Sequence, residues 1–113
     1  MSLSDFERLV PFARRARCWI VGRPALLRSR SRLHFILITQ DASDRTVEEV
    51  LRSFQHYPVV QALRSEDLYR YFGLQGTKVL GFQKGDLAKN LYASLKAFRL
   101  NRPDSGGSNA PAP

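Results

Sequence analysis

Residues 33–39, LHFILIT, constrain the fold most strongly because they are almost entirely apolar and rich in β-branched side chains. An apolar run of this length, without polar alternation, predicts a central strand that is buried on both faces. Helices must then cover both faces of the sheet that contains this strand. The sequence therefore predicts a layered α/β fold.

Helical and strand-forming patterns alternate over the rest of the chain. Strands are predicted at 18–21, 33–39, 59–63 and 78–82, and helices at 5–17, 24–32, 44–57, 66–72 and 87–99. The order α-β-α-β-α-β-α-β-α predicts a sandwich with a mostly parallel sheet. We expect one domain over residues 1–100, followed by a disordered tail over 101–113, NRPDSGGSNAPAP.

The ends of three predicted helices carry specific local signals. Pro11 lies inside the first helical pattern, so this helix is expected to kink there or to begin there. Ser43 or Asp44 is expected to cap the third helix, and Ser65 to cap the fourth.

The charge of the chain favours a polyanionic partner. Lysine and arginine total 18 against 10 acidic residues, which gives a net charge of +8. Residues 1–32 contain eight of the arginines and two acidic residues, and thus carry +6 of that charge. Arginine suits two-point contacts to phosphate and guanine better than lysine does. The alternative is a GC-rich coding sequence with a solvated helix face. The sequence contains no basic amphipathic helix with bulky aromatic residues, so it does not favour binding to a membrane surface.

The sequence contains no recognisable catalytic or metal-binding pattern. His34 and His56 belong to no HxH, HxxxH or HExxH motif, and the glycines form neither GxGxxG nor GxxxxGK[ST]. The single cysteine, Cys18, forms neither an internal disulfide nor a zinc-binding pair, which favours a reducing compartment. We therefore expect a cytoplasmic protein that is not an enzyme, with no cofactor, no metal and no small-molecule substrate.

A first group of candidate binding residues surrounds the turn at Gly22. Gly22 is predicted to join a strand to a helix, where backbone N–H groups can meet an anion. Arg23 and Arg28 flank this turn, Arg28 and Arg32 lie one turn apart if residues 25–32 are helical, and Arg30 points to the side. The alternative is that Gly22 serves only to begin a helix.

A second group is expected at the same end of the sheet. Gln40 follows the central strand, and ligands of open α/β sheets gather at such strand ends. The loop 73–78 contains Gly76, ends in Lys78 and could approach the same place. The alternative is that this loop is a plain connector.

Several segments together resemble the kink-turn-binding ribosomal protein superfamily, which includes ribosomal large-subunit proteins seven-Ae and thirty-e and bacterial YlxQ-like members. They are LHFILITQDAS at 33–43 followed by 44–46, ARRA at 13–16, Gly22, SEDL at 65–68 before Gly73, and 81–91. The resemblance covers about residues 5–98. It implies a three-layer α/β/α sandwich with a mixed four-stranded sheet that binds structured RNA such as a kink-turn. It also implies a ribonucleoprotein role, with the ribosome among the expected partners.

The sequence departs from this family at Pro24 and Ala25. These residues stand where the family has an Asn-Glu pair, and they cannot hydrogen bond to base edges through their side chains. Phosphate contacts by the Gly22 backbone, Arg23 and Arg28 remain. We expect a non-enzymatic binder of ribosomal or other structured RNA. The alternatives are a protein–protein interaction module on the same fold and the substrate-binding domain of a larger RNA-modifying enzyme.

Overall fold

The computed structural model describes residues 3–101, and it confirms the alternation of helices and strands. The helices are α1 (Leu3–Ala16), α2 (Arg23–Arg28), α3 (Asp44–Ser53), α4 (Ser65–Phe72) and α5 (Asp86–Leu95). The strands are β1 (Trp19–Val21), β2 (Leu33–Ile38), β3 (Val59–Gln61) and β4 (Val79–Gln83). Two 3-10 turns follow α2 and α5, at Arg30–Arg32 and Lys96–Phe98.

The four strands form one mixed sheet in the order β1-β4-β2-β3. β2 and β3 are parallel, whereas β4 is antiparallel to both of its neighbours. The mostly parallel sheet expected from the alternation is therefore wrong, and the mixed sheet implied by the resemblance is confirmed. The reason lies in the connection from β3 to β4. Lys78 is bonded to Asp41, so the loop after α4 returns the chain to the edge where β2 ends. β4 consequently enters the sheet in the opposite direction.

Helices cover both faces of this sheet and bury two apolar layers. α1, α4 and α5 pack on one face and α2 and α3 on the other, which confirms the three-layer α/β/α sandwich. β2 contributes to both layers, as a strand buried on both faces must. Phe35 and Leu37 face α1, α4 and α5, and Leu33, Ile36 and Ile38 face α2 and α3.

A bulge in β2 explains why Leu33 and Phe35 lie on opposite faces. Leu33 is paired with Gln83 and Phe35 with Phe82, so His34 is an extra residue on the β2 side of the ladder. One extra residue reverses the alternation of side chains. His34 is thereby placed, half-buried, against Tyr92 of α5.

The two ends of the described region also correct the sequence interpretation. α1 begins at Leu3 and continues through Pro11, because Phe6, Val10 and Ala13 anchor both halves of the helix in the core. Asn101, which was expected to begin the tail, accepts a hydrogen bond from the Val59 amide (3.0 Å) and belongs to the folded part. The rest of the predicted tail lies outside the described residues.

Candidate functional site

One edge of the sheet brings together most of the residues that the sequence singled out. β1 and β2 end beside the start of β4, since Val21 is paired with Leu80 and Ile38 with Val79. Beyond these pairs, the Thr39 amide donates to the Lys78 carbonyl oxygen at 2.9 Å. We call this end of the sheet the Gly22 edge and define it by Gly22, Arg23, Gln40, Asp41, Gly76 and Lys78.

Gly22 makes the turn from β1 into α2 with a backbone that disfavours other residues. Its φ of 96° lies in the region that L side chains rarely adopt. α2 has only six residues, Pro24 lacks an N–H, and the Leu26 amide already donates to the Gly22 carbonyl oxygen at 2.9 Å. The start of α2 thus offers few backbone donors, fewer than the sequence suggested.

Arg23 is held at the Gly22 edge by a carboxylate from the neighbouring helix. Its guanidinium forms an ion pair with Glu49 of α3, and Arg45 approaches the other oxygen of the same carboxylate at 3.3 Å. The hydrogen bond from Arg23 is the main reason why the pKa of Glu49 lies below its ordinary value. Two arginines thus share one acid, and the group of three side chains carries a net positive charge.

Asp41 organises the centre of the Gly22 edge, although it was not among the predicted site residues. Its Oδ1 accepts the Ser65 amide at 3.0 Å, and its Oδ2 accepts the Ser65 hydroxyl at 2.6 Å and the Lys78 ammonium at 2.9 Å. These bonds, first the one from the Ser65 hydroxyl and then the one from Lys78, hold the pKa of Asp41 well below its usual range. Lys78 is therefore engaged in an ion pair.

The role of Ser65 differs from the predicted one for the same reason. Its hydroxyl donates to Asp41, so it does not cap α4. Instead, the Asp67 side chain accepts the Arg64 amide at 2.9 Å, with Arg64 as the capping position. Ser43 caps α3 as predicted, since its hydroxyl oxygen accepts the Thr46 amide at 3.1 Å.

An exposed aromatic residue lies next to Gly76. Tyr69 of α4 is 58% exposed and lines, with Ser65, Glu66, Gln75 and Gly76, a shallow groove of about 260 Å³. Tyr69 was not predicted as a site residue, because it directly follows Leu68 in an apolar helical pattern and nothing local marks it as exposed. The groove adds an aromatic surface to the Gly22 edge.

Arg28, Arg30 and Arg32 do not lie with the Gly22 edge. The predicted helix over 25–32 is wrong, because α2 ends at Arg28 and the buried Ser29 separates it from the 3-10 turn. Arg28 and Arg32 are consequently not one α-helical turn apart. Arg32 precedes β2 and accepts the Lys84 amide at 2.8 Å through its carbonyl oxygen, at the opposite edge of the sheet.

These three arginines are exposed, and their contacts differ. Arg30 reaches the Ser53 carbonyl oxygen at 3.3 Å, and Arg32 reaches the Ser29 hydroxyl oxygen at 3.2 Å. Arg28 has no side-chain hydrogen bond or ion pair with any residue between 3 and 101. The site predicted from sequence is thus divided between two edges, with Arg28 at the end of α2 between them.

The described region gives no sign of a metal site or a membrane span. Among residues 3–101, no three histidine, cysteine or acidic side chains are grouped so that they could hold a metal ion. No helix in the same region is both long enough and apolar enough to cross a bilayer.

Comparisons with known proteins identify the fold. No protein-family model matches the chain, and no curated protein sequence matches it. A protein of unknown function from Bacillus halodurans is similar in structure, with a TM-score of 0.72 and 20% sequence identity, covering 80% of this chain and 96% of that one. The Giardia lamblia 15.5 kD RNA-binding protein is also similar, with a TM-score of 0.61 and 20% identity, covering 84% and 88%. At this identity the likeness shows a shared fold, which confirms the predicted fold class.

Proposed function

We propose that this protein binds structured RNA through the Gly22 edge and performs no chemistry of its own. The observation that carries the proposal is the convergence of three separate chain segments, at Gly22, at Gln40 and at 76–78, on one sheet edge. The Giardia protein with the same fold is an RNA-binding protein. The net charge of +8 favours the same partner class.

Each residue of the edge has a distinct part in this proposal. Gly22 lets the backbone approach RNA closely, since no atom of any residue other than Gly22 and its two chain neighbours lies within 4 Å of the position that a β-carbon would take. Arg23 has donors left after pairing with Glu49, because a guanidinium carries five N–H groups. Gln40 is exposed and can hydrogen bond to a base or a sugar. Lys78 is paired with Asp41 and orders the loop that carries Gly76.

The remaining arginines would act at the margins of the RNA. Arg28 follows the edge along α2, and Arg30 and Arg32 would reach RNA that extends past the far end of this helix. Because Pro24 and Ala25 provide no side-chain hydrogen bonds to bases, we expect shape and phosphate contacts to outweigh sequence reading. In its more specific form, the proposal is that the RNA is a kink-turn or a ribosomal RNA and that the protein acts in the cytoplasm.

The first experiment compares a kink-turn RNA with a plain duplex of equal length. Nuclease-treated protein is titrated into each labelled RNA between about 50 mM and 200 mM salt, where phosphate-dominated binding weakens steeply. Tighter binding of the kink-turn supports recognition of RNA shape. Equal, salt-dependent binding of both supports a general RNA binder. No binding of either RNA at low salt contradicts the proposal.

The site is tested with Arg23→Ala/Arg28→Ala, which removes one cation of the Gly22 edge and the neighbouring cation at the end of α2. We expect affinity to fall several-fold and the slope of log K against log salt to become shallower by about one per lost phosphate contact. The matched control is Arg52→Ala/Lys89→Ala, which removes the same charge from exposed positions on α3 and α5. Equal losses in both double variants would assign binding to net charge rather than to this edge.

A protein partner is the second candidate, and one observation favours it. Val21 and Leu27 are 39% and 42% exposed on either side of the Gly22 turn, and both are apolar. An interaction module would bury them. A protein that co-purifies without nucleic acid, and that Leu27→Ser releases, would favour this candidate over RNA.

A further inference from the structure

A second cationic surface lies at the other end of β1, away from the Gly22 edge. Its groove has a volume of about 770 Å³, within the range of ligand-binding clefts. We call it the Trp19 groove, and its lining residues are Pro11, Arg14, Arg15, Arg17, Trp19 and Phe72. It takes in three of the arginines from the basic N-terminal segment that the Gly22 edge does not use.

The arginines of the Trp19 groove differ from the cations of the Gly22 edge in having no acidic partner. Arg14, Arg15 and Arg17 are exposed, and within residues 3–101 none of their side chains forms a hydrogen bond or ion pair. At the Gly22 edge, by contrast, Arg23 and Lys78 are paired with Glu49 and Asp41. The strongest uncompensated positive charge near β1 therefore lies in the Trp19 groove, and it suits a polyanion.

An aromatic surface is fixed beside these cations. Trp19 is half-buried, and its ring centroid lies 4.7 Å from that of Phe72, at an interplanar angle of 45°. Phe72 in turn packs edge-on against Phe6 and Phe82 in the core. The indole is thus supported from the core side while part of it lines the groove. A supported aromatic ring surrounded by guanidinium groups is the usual platform for an unpaired base and its phosphates.

The backbone at Arg17 indicates that the fold does not itself favour an arginine there. Arg17 directly follows α1 with a φ of 50°, in the left-handed region, and its amide donates to the Ala13 carbonyl oxygen at 2.8 Å. Glycine is the residue best suited to this position at the end of a helix. The backbone conformation therefore does not explain an arginine at this position, and the contribution of Arg17 to the groove is its side chain.

The groove and the Gly22 edge are close enough for one RNA to reach both. Two residues, Ile20 and Val21, separate Trp19 from Gly22. The three steps along the chain correspond to about 10 Å of extended strand. β1 is an edge strand of the sheet that residues 3–101 form, because β4 is its one neighbour there. Val21, partly exposed on the same face of β1 as Trp19, lies between the two surfaces.

We propose that the Trp19 groove binds an unpaired nucleotide of single-stranded RNA, with the base against Trp19 and the flanking phosphates at Arg14, Arg15 and Arg17. This inference rests on the proposed function and extends it. The Gly22 edge holds the structured part of an RNA, and the Trp19 groove holds an adjoining unpaired segment. An acidic protein segment would use the cations but has no need of the indole.

The test uses the fact that Trp19 is the only tryptophan in the sequence. Its fluorescence is followed during titration with a six-nucleotide single-stranded RNA, a duplex of the same sequence and a glutamate-rich peptide of equal charge. We expect saturable quenching by the single strand and at least five-fold weaker binding of the duplex and the peptide. Quenching by the peptide at equal affinity would overturn the assignment to RNA.

Variants then locate the contact. Arg14→Ala/Arg15→Ala should weaken single-strand binding at least ten-fold, and Arg17→Gly several-fold with an unfolding midpoint no lower than that of the wild type. The charge-matched control, Arg52→Ala/Lys89→Ala, should change it less than two-fold. Equal weakening by the control would overturn the groove as the binding site.

The outcomes separate this inference from the proposed function. The groove inference alone fails under two conditions. Arg23→Ala/Arg28→Ala lowers the affinity for the kink-turn RNA, but the single strand does not quench Trp19 fluorescence and Arg14→Ala/Arg15→Ala does not change single-strand binding. If the wild type binds neither RNA at low salt, both fail. If Arg23→Ala/Arg28→Ala weakens binding of the kink-turn RNA and Arg14→Ala/Arg15→Ala separately weakens binding of the single strand, both the proposed function and the groove inference stand.

Discussion

Lys78 Nζ lies 2.9 Å from Asp41 Oδ2, and this contact joins the start of β4 to the end of β2. The same carboxylate accepts two hydrogen bonds from Ser65 at the start of α4. Three elements that are distant in sequence are thus fastened at one point beneath the Gly22 edge. The ion pair therefore lies at the proposed RNA site and also helps to stabilise the fold.

Asp41 should contribute more to stability than its partner Lys78 does. Asp41→Ala removes an acceptor of three hydrogen bonds whose side chain is 20% exposed, so we expect unfolding to become easier by about 2–3 kcal/mol. Lys78→Met removes the ion pair with Asp41 and a longer hydrogen bond to the Ser65 hydroxyl (3.4 Å) from a side chain that is 42% exposed, so we expect about 1 kcal/mol or less. Urea denaturation of both variants provides the comparison, and equal losses would contradict this division of roles.

The contribution of Asp41 should also depend on pH. Its pKa is lowered in the folded protein, so its stabilisation is complete above the unfolded value of about 4 and is lost as the pH falls below it. The stability difference between the wild type and Asp41→Asn should accordingly shrink from pH 6 to pH 3. A difference that stays constant over this interval would mean that the charge of Asp41 is not what stabilises the edge.

His34 should make the fold less stable below neutral pH. Burial, with Lys89 and Lys84 as further causes, lowers the pKa of His34 in the folded protein. Below about pH 6.5 the unfolded chain therefore binds a proton that the folded protein does not, and the free energy of unfolding falls. His34→Gln should flatten the dependence between pH 7 and pH 5, and Lys89→Gln should reduce it. An unchanged slope in His34→Gln would contradict the prediction.

Gly81 is required because Leu26 occupies the space above it. A β-carbon at Gly81 would lie 2.4 Å from Leu26 Cδ2 and 3.0 Å from Leu33 Cδ2, both in fully or nearly fully buried side chains. Gly81→Ala should destabilise the protein by about 1–3 kcal/mol. In the double variant Leu26→Ala/Gly81→Ala, the added methyl group has room, so the combined loss should be smaller than the sum of the single losses. Additive losses would show that the close approach is not the cause.

The sequence predicted those parts of the fold that depend on the local spacing of apolar residues. The run at 33–39 became β2, and the order of elements followed from helical and strand periodicity. The direction of β4 could not be predicted from local pattern, because it depends on where the loop 73–78 returns, and the Lys78–Asp41 contact that records this is long-range. The bulge at His34 was hidden for a similar reason, since an extra residue is visible only against the partner strand.

The candidate site was predictable only in part. Gly22, Gln40 and Gly76 were identified as residues of turns and strand ends. β1 and β2 run in the same direction and end at one edge, and Gly76 reaches that edge because the antiparallel β4 begins there. The arginines were grouped because they are close in sequence, whereas Ser29 ends α2 and separates Arg28 from Arg32. The sequence also could not predict which cations form ion pairs, because Glu49 and Asp41 approach Arg23 and Lys78 from other elements.

Arg17 offers a way to separate binding from stability. Its left-handed backbone costs a side-chain-bearing residue about 1–2 kcal/mol, and glycine avoids this cost while losing about 0.5–1 kcal/mol through the entropy of the unfolded chain. Arg17→Gly should therefore be as stable as the wild type or up to about 1 kcal/mol more stable. Arg17→Ala keeps the backbone cost and should be less stable than Arg17→Gly by a similar amount. If Arg17→Gly instead lowers the unfolding midpoint, the arginine side chain must contribute to the fold, and the weaker RNA binding of this variant would lose its meaning as evidence for the groove.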